Sequence, residues 1–310
     1  MTHENPLAYA LGLEGIALMR AFTGTGELPE DPDRAGHGPA FVAARVAEIR
    51  RLLDDASLAG AAVDVARVDT VEGYRIWSST YDGPNTAFDY DEPVLAGITA
   101  ALPPDSVVLD AACGTGRLAA LAAGSGHRVV GVDSSPDMLA MARERVPEGD
   151  FRRGDLHALP VADASADLVT CSLALTHVPE LGPVLAEFGR VLRPGGLLFV
   201  ADIHPEQVAR GVIPSVRRAD GSPARLASYV HRTGDYVRAA LAAGLSVRRC
   251  DEPAPRPGPE AEDDGAAREP GPGPWEVWPW SLSDLAPEAA DTAWAGMPAM
   301  VLWQFTRQAI

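Results

Sequence analysis

The segment Val108-Leu-Asp-Ala-Ala-Cys-Gly-Thr-Gly116 has the residue types needed to lay a ligand against the main chain. A short apolar run ends in an acid, then turns tightly through small residues into a helix. Gly114 and Gly116 let backbone approach a bound molecule closely, with Ala112 and Cys113 completing the turn. The free N–H groups of a helix start attract negative oxygens. Asp110 stands where a carboxylate fixes an amine or a ribose hydroxyl, directly or through water. A glycine turn of this kind also serves as a plain strand-to-helix connection. Gly114-x-Gly116-x-x-Ala119 even satisfies the loose dinucleotide pattern, so the turn alone decides little.

Four further stations follow it in the chain. Gly131-Val-Asp133 closes a second apolar run and leads into Ser134-Ser-Pro-Asp-Met138. An acid at that strand tip suits two vicinal ribose hydroxyls, since a carboxylate accepts from both. Arg152-Arg-Gly154-Asp155-Leu156 is the third station. There Asp155 would accept from the exocyclic amine of adenine, with Leu156 and Met138 packed near the ring. The fourth, Cys171-Ser172-Leu-Ala-Leu-Thr-His177, ends another run, and the fifth is Phe188 to Leu198 with its Pro-Gly-Gly turn. Histidine is the natural base near neutral pH. His177, in Leu-Thr-His-Val-Pro, and His204, in Ala-Asp-Ile-His-Pro, both lie just past strand ends and are the candidate general bases. Each has a plainer alternative, capping or packing the helix that follows. Asp202 would orient either of them, His231 suits a helix start, and His157 sits beside the adenine station.

The elements that must position these residues are legible from hydrophobic period. Strands are expected at 107–109, 128–132, 167–172 and 197–201, with helices near 116–124, 136–145 and 180–192 between them. Strands alternating with helices imply a parallel sheet covered on both faces and joined by right-handed crossovers. A helix over 233–244, a strand over 245–250 and a last strand over 298–306 follow. Upstream, 5–22 reads as an amphipathic helix with Leu7, Leu11, Leu18 and Phe22 on one face. Residues 23–38 read as a loop, and 39–55 as a second helix with Val42, Val46, Ile49 and Leu53 on its stripe. These two helices are expected either to form a cap or homodimer contact, or simply to pack on the main domain. Residues 63–67 suggest a short strand, and Asp69 or Thr70 caps a helix running toward Tyr81. The Pro-, Gly- and acid-rich stretch 251–275 cannot offset its ordering entropy by burial and reads as a mobile loop. The late tryptophans Trp275, Trp278, Trp280 and Trp294 would serve either as an aromatic wall for a planar substrate or as core.

In this order and spacing the five stations resemble the class I S-adenosylmethionine-dependent methyltransferase family, of the small-molecule type. The likeness is strong over about 77–204 and weaker over 231–252 and the last strand. It implies an α/β fold: a Rossmann-like seven-stranded, mostly parallel sheet with helices on both faces and its last strand antiparallel, plus an N-terminal helical cap. The expected organisation is 1–68 as cap and 69–310 as the methyltransferase domain. The resemblance implies S-adenosylmethionine as cofactor. Gly114 and Gly116 would wrap its methionine part, Asp133 would hold the ribose, and Asp155 with Leu156 would hold the adenine, with Ala112, Cys113, Ser134, Met138 and Gly154 among the residues around the cofactor. Tyr81, in the entry helix, and Ser172 are further cofactor contacts. Ala112 replaces the family's usual first glycine. No Asn/Asp-Pro-Pro-Tyr segment follows the fourth strand, which disfavours the amino-methylating nucleic-acid enzymes of the family.

Composition narrows the partners. With 310 residues and 46% apolar content the chain can fill a sizeable core. Its net charge of −17 repels phosphate backbones and anionic membranes, so a small-molecule methyl acceptor is expected, with no nucleic acid or membrane as partner. Three scattered cysteines, Cys113, Cys171 and Cys250, form neither a disulfide framework nor a metal-ligand spacing and fit a reducing cytoplasm. The apolar stretch 7–22 is broken by Glu14 and Arg20, so it is neither signal peptide nor membrane span. Two other functions stay open at this point: a nicotinamide-dependent oxidoreductase, and a non-methylating S-adenosylmethionine-binding protein such as a cyclase or regulator.

Overall fold

The computed structural model describes residues 1–23, 38–78, 81–83, 87–254 and 271–308. Most of the loops expected at 23–38 and 251–275 therefore lies outside the described residues. The chain divides into two compact units: one of Met1–Arg67, Pro214–Arg225 and Pro259–Met297, the other of Val68–Ile213, Leu226–Gly258 and Pro298–Ile310.

The second unit contains the sheet that the sequence pattern demands. Its strands are β1 (Val107–Ala111), β2 (Arg128–Asp133), β3 (Asp150–Arg153), β4 (Ala166–Ser172), β5 (Leu192–Ile203), β6 (Leu245–Asp251) and β7 (Met300–Arg307). They lie in the order β6-β7-β5-β4-β1-β2-β3. The pairs β1/β2, β1/β4, β2/β3 and β4/β5 are parallel, while β7 runs antiparallel to both β5 and β6. The inner strands β1 and β4 are almost continuously buried, as strands covered on both faces must be. The helices are α1 (Thr70–Trp77), α2 (Phe88–Ala101), α3 (Arg117–Gly124), α4 (Pro136–Arg145), α5 (Leu181–Val191), α6 (Pro205–Ala209) and α7 (Thr233–Ala242). One apolar core joins Val184, Phe188 and Tyr236 to Val200 and Trp303; another joins Leu95, Leu118 and Leu139 to Leu168 and Phe199. This is the Rossmann-like architecture expected, with the last strand reversed.

Local chemistry fixes the helix starts near the site. Asp69 caps α1, accepting from the Glu72 N–H at 2.9 Å, and the Ser135 hydroxyl caps α4 by accepting from Met138 N at 3.3 Å. Strand β3 has only four residues, two of them arginine, which is why no apolar run announced it.

The first unit has a four-stranded sheet of Thr2–Glu4, Val63–Val68, Pro223–Leu226 and Ser215–Arg217, in that spatial order, and the helices Pro6–Thr23, Pro39–Asp54 and Pro287–Trp294. The cap expected over 1–68 is thus joined in one unit by two later stretches of chain. Its buried stripe differs from the expected one. Ala10, Leu13, Glu14 and Ala17 face inward on the first helix, and Phe22 is 92% exposed. The second helix buries Arg45 and Leu52 and exposes Leu53. The cause is a buried ion pair. Arg45 Nη1 reaches Glu14 Oε1 at 3.3 Å, and its other nitrogen bonds Glu288. Burial pushes the Glu14 carboxyl up to about 7. Trp275 and Trp278 belong to this unit's core, Trp294 packs against it, and Trp280 is exposed. No helix among the described residues is long and apolar enough to cross a membrane.

Candidate active site

A cleft opens at the carboxyl ends of β1, β2, β3 and β4, the crevice where open α/β sheets hold ligands. Each strand tip contributes to its lining: Ala112 and Gly114 after β1, Asp133, Ser134 and Met138 after β2, Gly154, Asp155 and Leu156 after β3, and Ser172 and His177 at and beyond the end of β4. Thr70, Tyr74 and Tyr81 line it as well.

The first turn is left-handed at three places: Ala112 (φ 58°), Gly114 (φ 53°) and Gly116 (φ 80°). The two glycines have different reasons. A Cβ on Gly114 would meet nothing within 4 Å and would project into open space at the cleft, so the missing side chain leaves the backbone bare toward a ligand. A Cβ on Gly116 would come within 3.1 Å of the Ala142 backbone, so this glycine lets α3 and α4 approach.

Asp133 ties the strand tips together. Its Oδ2 accepts from Gly114 N at 2.9 Å and its Oδ1 from Ser135 N at 2.8 Å, while its carbonyl accepts from Gly154 N at 3.0 Å. Each carboxylate oxygen keeps a lone pair for a ligand hydroxyl. Burial raises its pKa against the pull of those N–H groups. Asp155 Oδ1 accepts from both N and Nδ1 of His157, at 2.8 and 2.6 Å, which holds its carboxyl below the usual range. Its Oδ2 makes no hydrogen bond among the described residues.

Five residues given a role at the site by the sequence are not among the described lining residues of the cleft. Asp110 does not line the cleft. It is buried beneath the turn, its Oδ1 accepting from Thr170 Oγ1 and its Oδ2 from Ala119 N, both at 3.0 Å. Desolvation pushes it up to about 7. The Cys113 side chain points away from the cleft into the core, close to Gly131, with its thiol pushed up by burial. Gly116 acts through helix packing, as above. His204 is buried and caps α6, its Nδ1 accepting from Glu206 N at 3.3 Å and its Nε2 lying 3.4 Å from Glu252. Asp202 orients neither histidine; it accepts from Thr176 N at 2.7 Å and Ile203 N at 2.8 Å.

His177 does line the cleft. Its Nδ1 lies 2.8 Å from the Ala227 carbonyl, and its Nε2 is 3.0 Å from the Tyr74 hydroxyl. Burial lowers its pKa and raises that of Tyr74. Sequence reasoning missed Tyr74. The signal was there: Tyr74, Trp77 and Tyr81 stand at i, i+3 and i+7, one helical face, and their rings lie within 6.0 Å of one another. Burial pushes the Tyr81 hydroxyl up to about 12.

Two ion-pair networks brace this wall. Arg117, first in α3, holds Asp91 through Nη1 and Nη2 at 2.8 and 2.6 Å and Glu92 at 2.9 Å, and lies over the Phe88 ring. Asp91 Oδ2 also accepts from Ser172 Oγ at 2.5 Å. Arg145 and Thr115 both bond Asp82, the neighbour of Tyr81.

The donor set fits S-adenosylmethionine: a bare left-handed turn at Gly114, a carboxylate for a diol at Asp133, another acid and two apolar side chains at the far end, and no lysine or arginine among the described lining residues to oppose a sulfonium. Comparison with known proteins agrees. Residues 109–200 match the family model for the methyltransferase domain. A demethylmenaquinone methyltransferase of Renibacterium salmoninarum is 47% identical over 103 residues, 33% of this chain and 44% of that protein. A malonyl-[acyl-carrier protein] O-methyltransferase of Yersinia pestis is 38% identical over 97 residues, 31% of this chain and 36% of that protein. The chain thus spans less than half the length of these curated relatives. Among solved structures, a complex of a methyltransferase activator and a methyltransferase from Haloferax volcanii superposes with a TM-score of 0.50 at 21% identity, covering 77% of this chain and 99% of that one, a likeness of fold.

Proposed function

We propose that this chain, which belongs through residues 109–200 to the class I S-adenosylmethionine-dependent methyltransferases, transfers the cofactor's methyl group to a small-molecule acceptor. The observation that carries this reading is Asp133, whose carboxylate gathers the first and second strand tips and lines the cleft beside the bare turn at Gly114. When bound, the cofactor supplies an already activated methyl group on a sulfonium, so the protein's work is position, exclusion of water and handling of a proton.

Ala112, Gly114 and Ser172 would receive the methionine end, with Tyr81 beside them. Asp133 and Ser134 would hold the ribose. Met138, Gly154, Asp155 and Leu156 would take the adenine. Cys113 and Gly116 shape the turn without touching the ligand, and Asp110 supports it from below. His177, neutral and lining the same cleft, is the group for an acceptor's proton. His204 has no part in the chemistry, being spent on a helix cap.

Calorimetry with S-adenosylhomocysteine tests the reading. The expected result is saturable binding that Asp133→Asn weakens at least about tenfold, since a ribose hydroxyl bound to a charged acceptor contributes roughly 1.5–3 kcal/mol. No heat of binding with the wild-type chain would overturn it.

A further inference from the structure

We infer that Tyr74 and His177 form a proton relay, and that the acceptor it serves is a neutral hydroxyl group on an apolar scaffold; this rests on the methyl-transfer reading above. The hydrogen bonds fix the direction of the relay. The Ala227 carbonyl, 2.8 Å from His177 Nδ1, can only accept, so Nδ1 carries the proton. In the neutral ring Nε2 then offers a lone pair, and the Tyr74 O–H at 3.0 Å donates to it. The phenol keeps its oxygen lone pairs for a donor in the cleft that both side chains line. The other polar groups around the pair are the Leu173 carbonyl, a second and longer acceptor at 3.5 Å from the Tyr74 hydroxyl, Ser228 Oγ, 3.5 Å from Nδ1, Tyr81, whose ring centroid is 5.9 Å from that of Tyr74, Asp133 in the same cleft, and Asp202, bonded to the neighbouring Thr176 N.

The cleft selects the acceptor. Apart from His157, which is paired with Asp155, the described lining offers no cationic side chain, neither arginine nor lysine, so a carboxylate or phosphate on the acceptor would be buried without a partner. A neutral amine is nucleophilic enough to attack without help and sheds its proton only from the ammonium formed afterwards, so it gains little from the relay. A hydroxyl gains from losing its proton as it attacks. Leu173, Ala174, Val178 and Pro179 line the cleft next to the pair and suit an apolar scaffold.

In the step, the acceptor oxygen forms the new O–CH3 bond while the S–CH3 bond breaks and its electron pair goes to sulfur. The acceptor's proton passes to Tyr74 Oη as the proton of Tyr74 passes to His177 Nε2. The imidazolium, still bonded to Ala227 through Nδ1–H, returns its proton to solvent afterwards.

The test uses the whole chain, labelled with 15N-histidine and saturated with S-adenosylhomocysteine, with His177→Gln to assign the resonances. Expected are an Nδ1–H tautomer at His177 and, in Tyr74→Phe, a shifted Nε2 resonance with a raised His177 pKa, because the donor that favoured the neutral ring is gone. An Nε2–H tautomer in the wild type, or an Nε2 resonance unmoved by Tyr74→Phe, overturns the relay. With labelled methyl donor, 1-naphthol is expected to be methylated in preference to 1-naphthylamine and 1-naphthoate, and Tyr74→Phe to lower kcat on it about 100-fold with the cofactor KM unchanged. Preference for the amine or the carboxylate, equal kcat in the variant, or no transfer to any of the three overturns the acceptor class. Absence of S-adenosylhomocysteine binding at the outset would instead defeat the methyl-transfer reading beneath it.

Discussion

Asp110→Asn separates a carboxylate that supports the site from one that touches the ligand. Asp110 is buried, and desolvation lifts it from 3.8 to about 7 despite the bonds from Thr170 and Ala119. Below the unfolded value it is protonated in both states. As pH rises, the unfolded chain releases its proton first while the folded chain holds on until about 7. Stability conferred at acid pH is therefore lost progressively across that window. Roughly three units at about 1.4 kcal/mol each give a loss of up to about 4 kcal/mol. Asparagine does not titrate, and it satisfies the same partners: its Oδ1 accepts from Ala119 N and its Nδ2 donates to the Thr170 hydroxyl. Urea unfolding of both proteins between about pH 4 and pH 8 should show the difference moving in the variant's favour by up to about 4 kcal/mol. Glu14 and Asp202, also raised to about 7, are common to both proteins and cancel. S-adenosylhomocysteine affinity at pH 8 should stay within about threefold of wild type, less than about 1 kcal/mol. Parallel stability profiles at every pH, or an affinity loss as large as that of Asp133→Asn, would refute the assignment of Asp110 to support.

Gly116→Ala forces a left-handed alanine at φ 80° and puts its Cβ 3.1 Å from the Ala142 backbone. It should cost about 2 kcal/mol or more in urea unfolding, the left-handed penalty and the overpacking acting together. Arg117→Met leaves Asp91 buried with Ser172 as its remaining partner in that network and should cost about 3–5 kcal/mol. Adding Asp91→Asn should recover more than half of that loss in a double-mutant cycle.

The sheet was legible because its inner strands are covered on both faces and so are written as largely apolar runs. Val107–Ala111 and Ala166–Ser172 could be read almost to the residue. The N-terminal helices were legible as helices but not in orientation. An amphipathic reading counts apolar side chains, and here the inward stripe includes Glu14 and Arg45, which face each other as an ion pair. The unit that adds 214–225 and 271–297 to the N-terminus depends on pairing between distant strands, for which one sequence carries no periodic signal. At the site, residue types singled out Asp133, Asp155, Gly114 and His177, and all four line the cleft. Rotamer and burial decide whether a side chain faces ligand or core, and those are set by packing. Hence Asp110, Cys113 and His204, alike in position along the chain, turn away.

The acids of the sheet's carboxyl edge thereby divide into two kinds. Asp133 and Asp155 line the cleft. Asp91, Asp110 and Asp202 are fully or almost fully buried, and each holds the same piece of chain, the exit of β4: Asp110 through the Thr170 hydroxyl, Asp91 through the Ser172 hydroxyl, Asp202 through the Thr176 amide. Three anchors within seven residues fix the path of Ser172 to His177, and that path brings the imidazole to 3.0 Å from the Tyr74 hydroxyl. A buried carboxyl loses hydration energy and is retained only where its hydrogen bonds fix something. Here they fix the wall from which the candidate base acts, so substitution of a buried acid should disturb His177 and Tyr74 before it disturbs the residues assigned to the ribose and adenine.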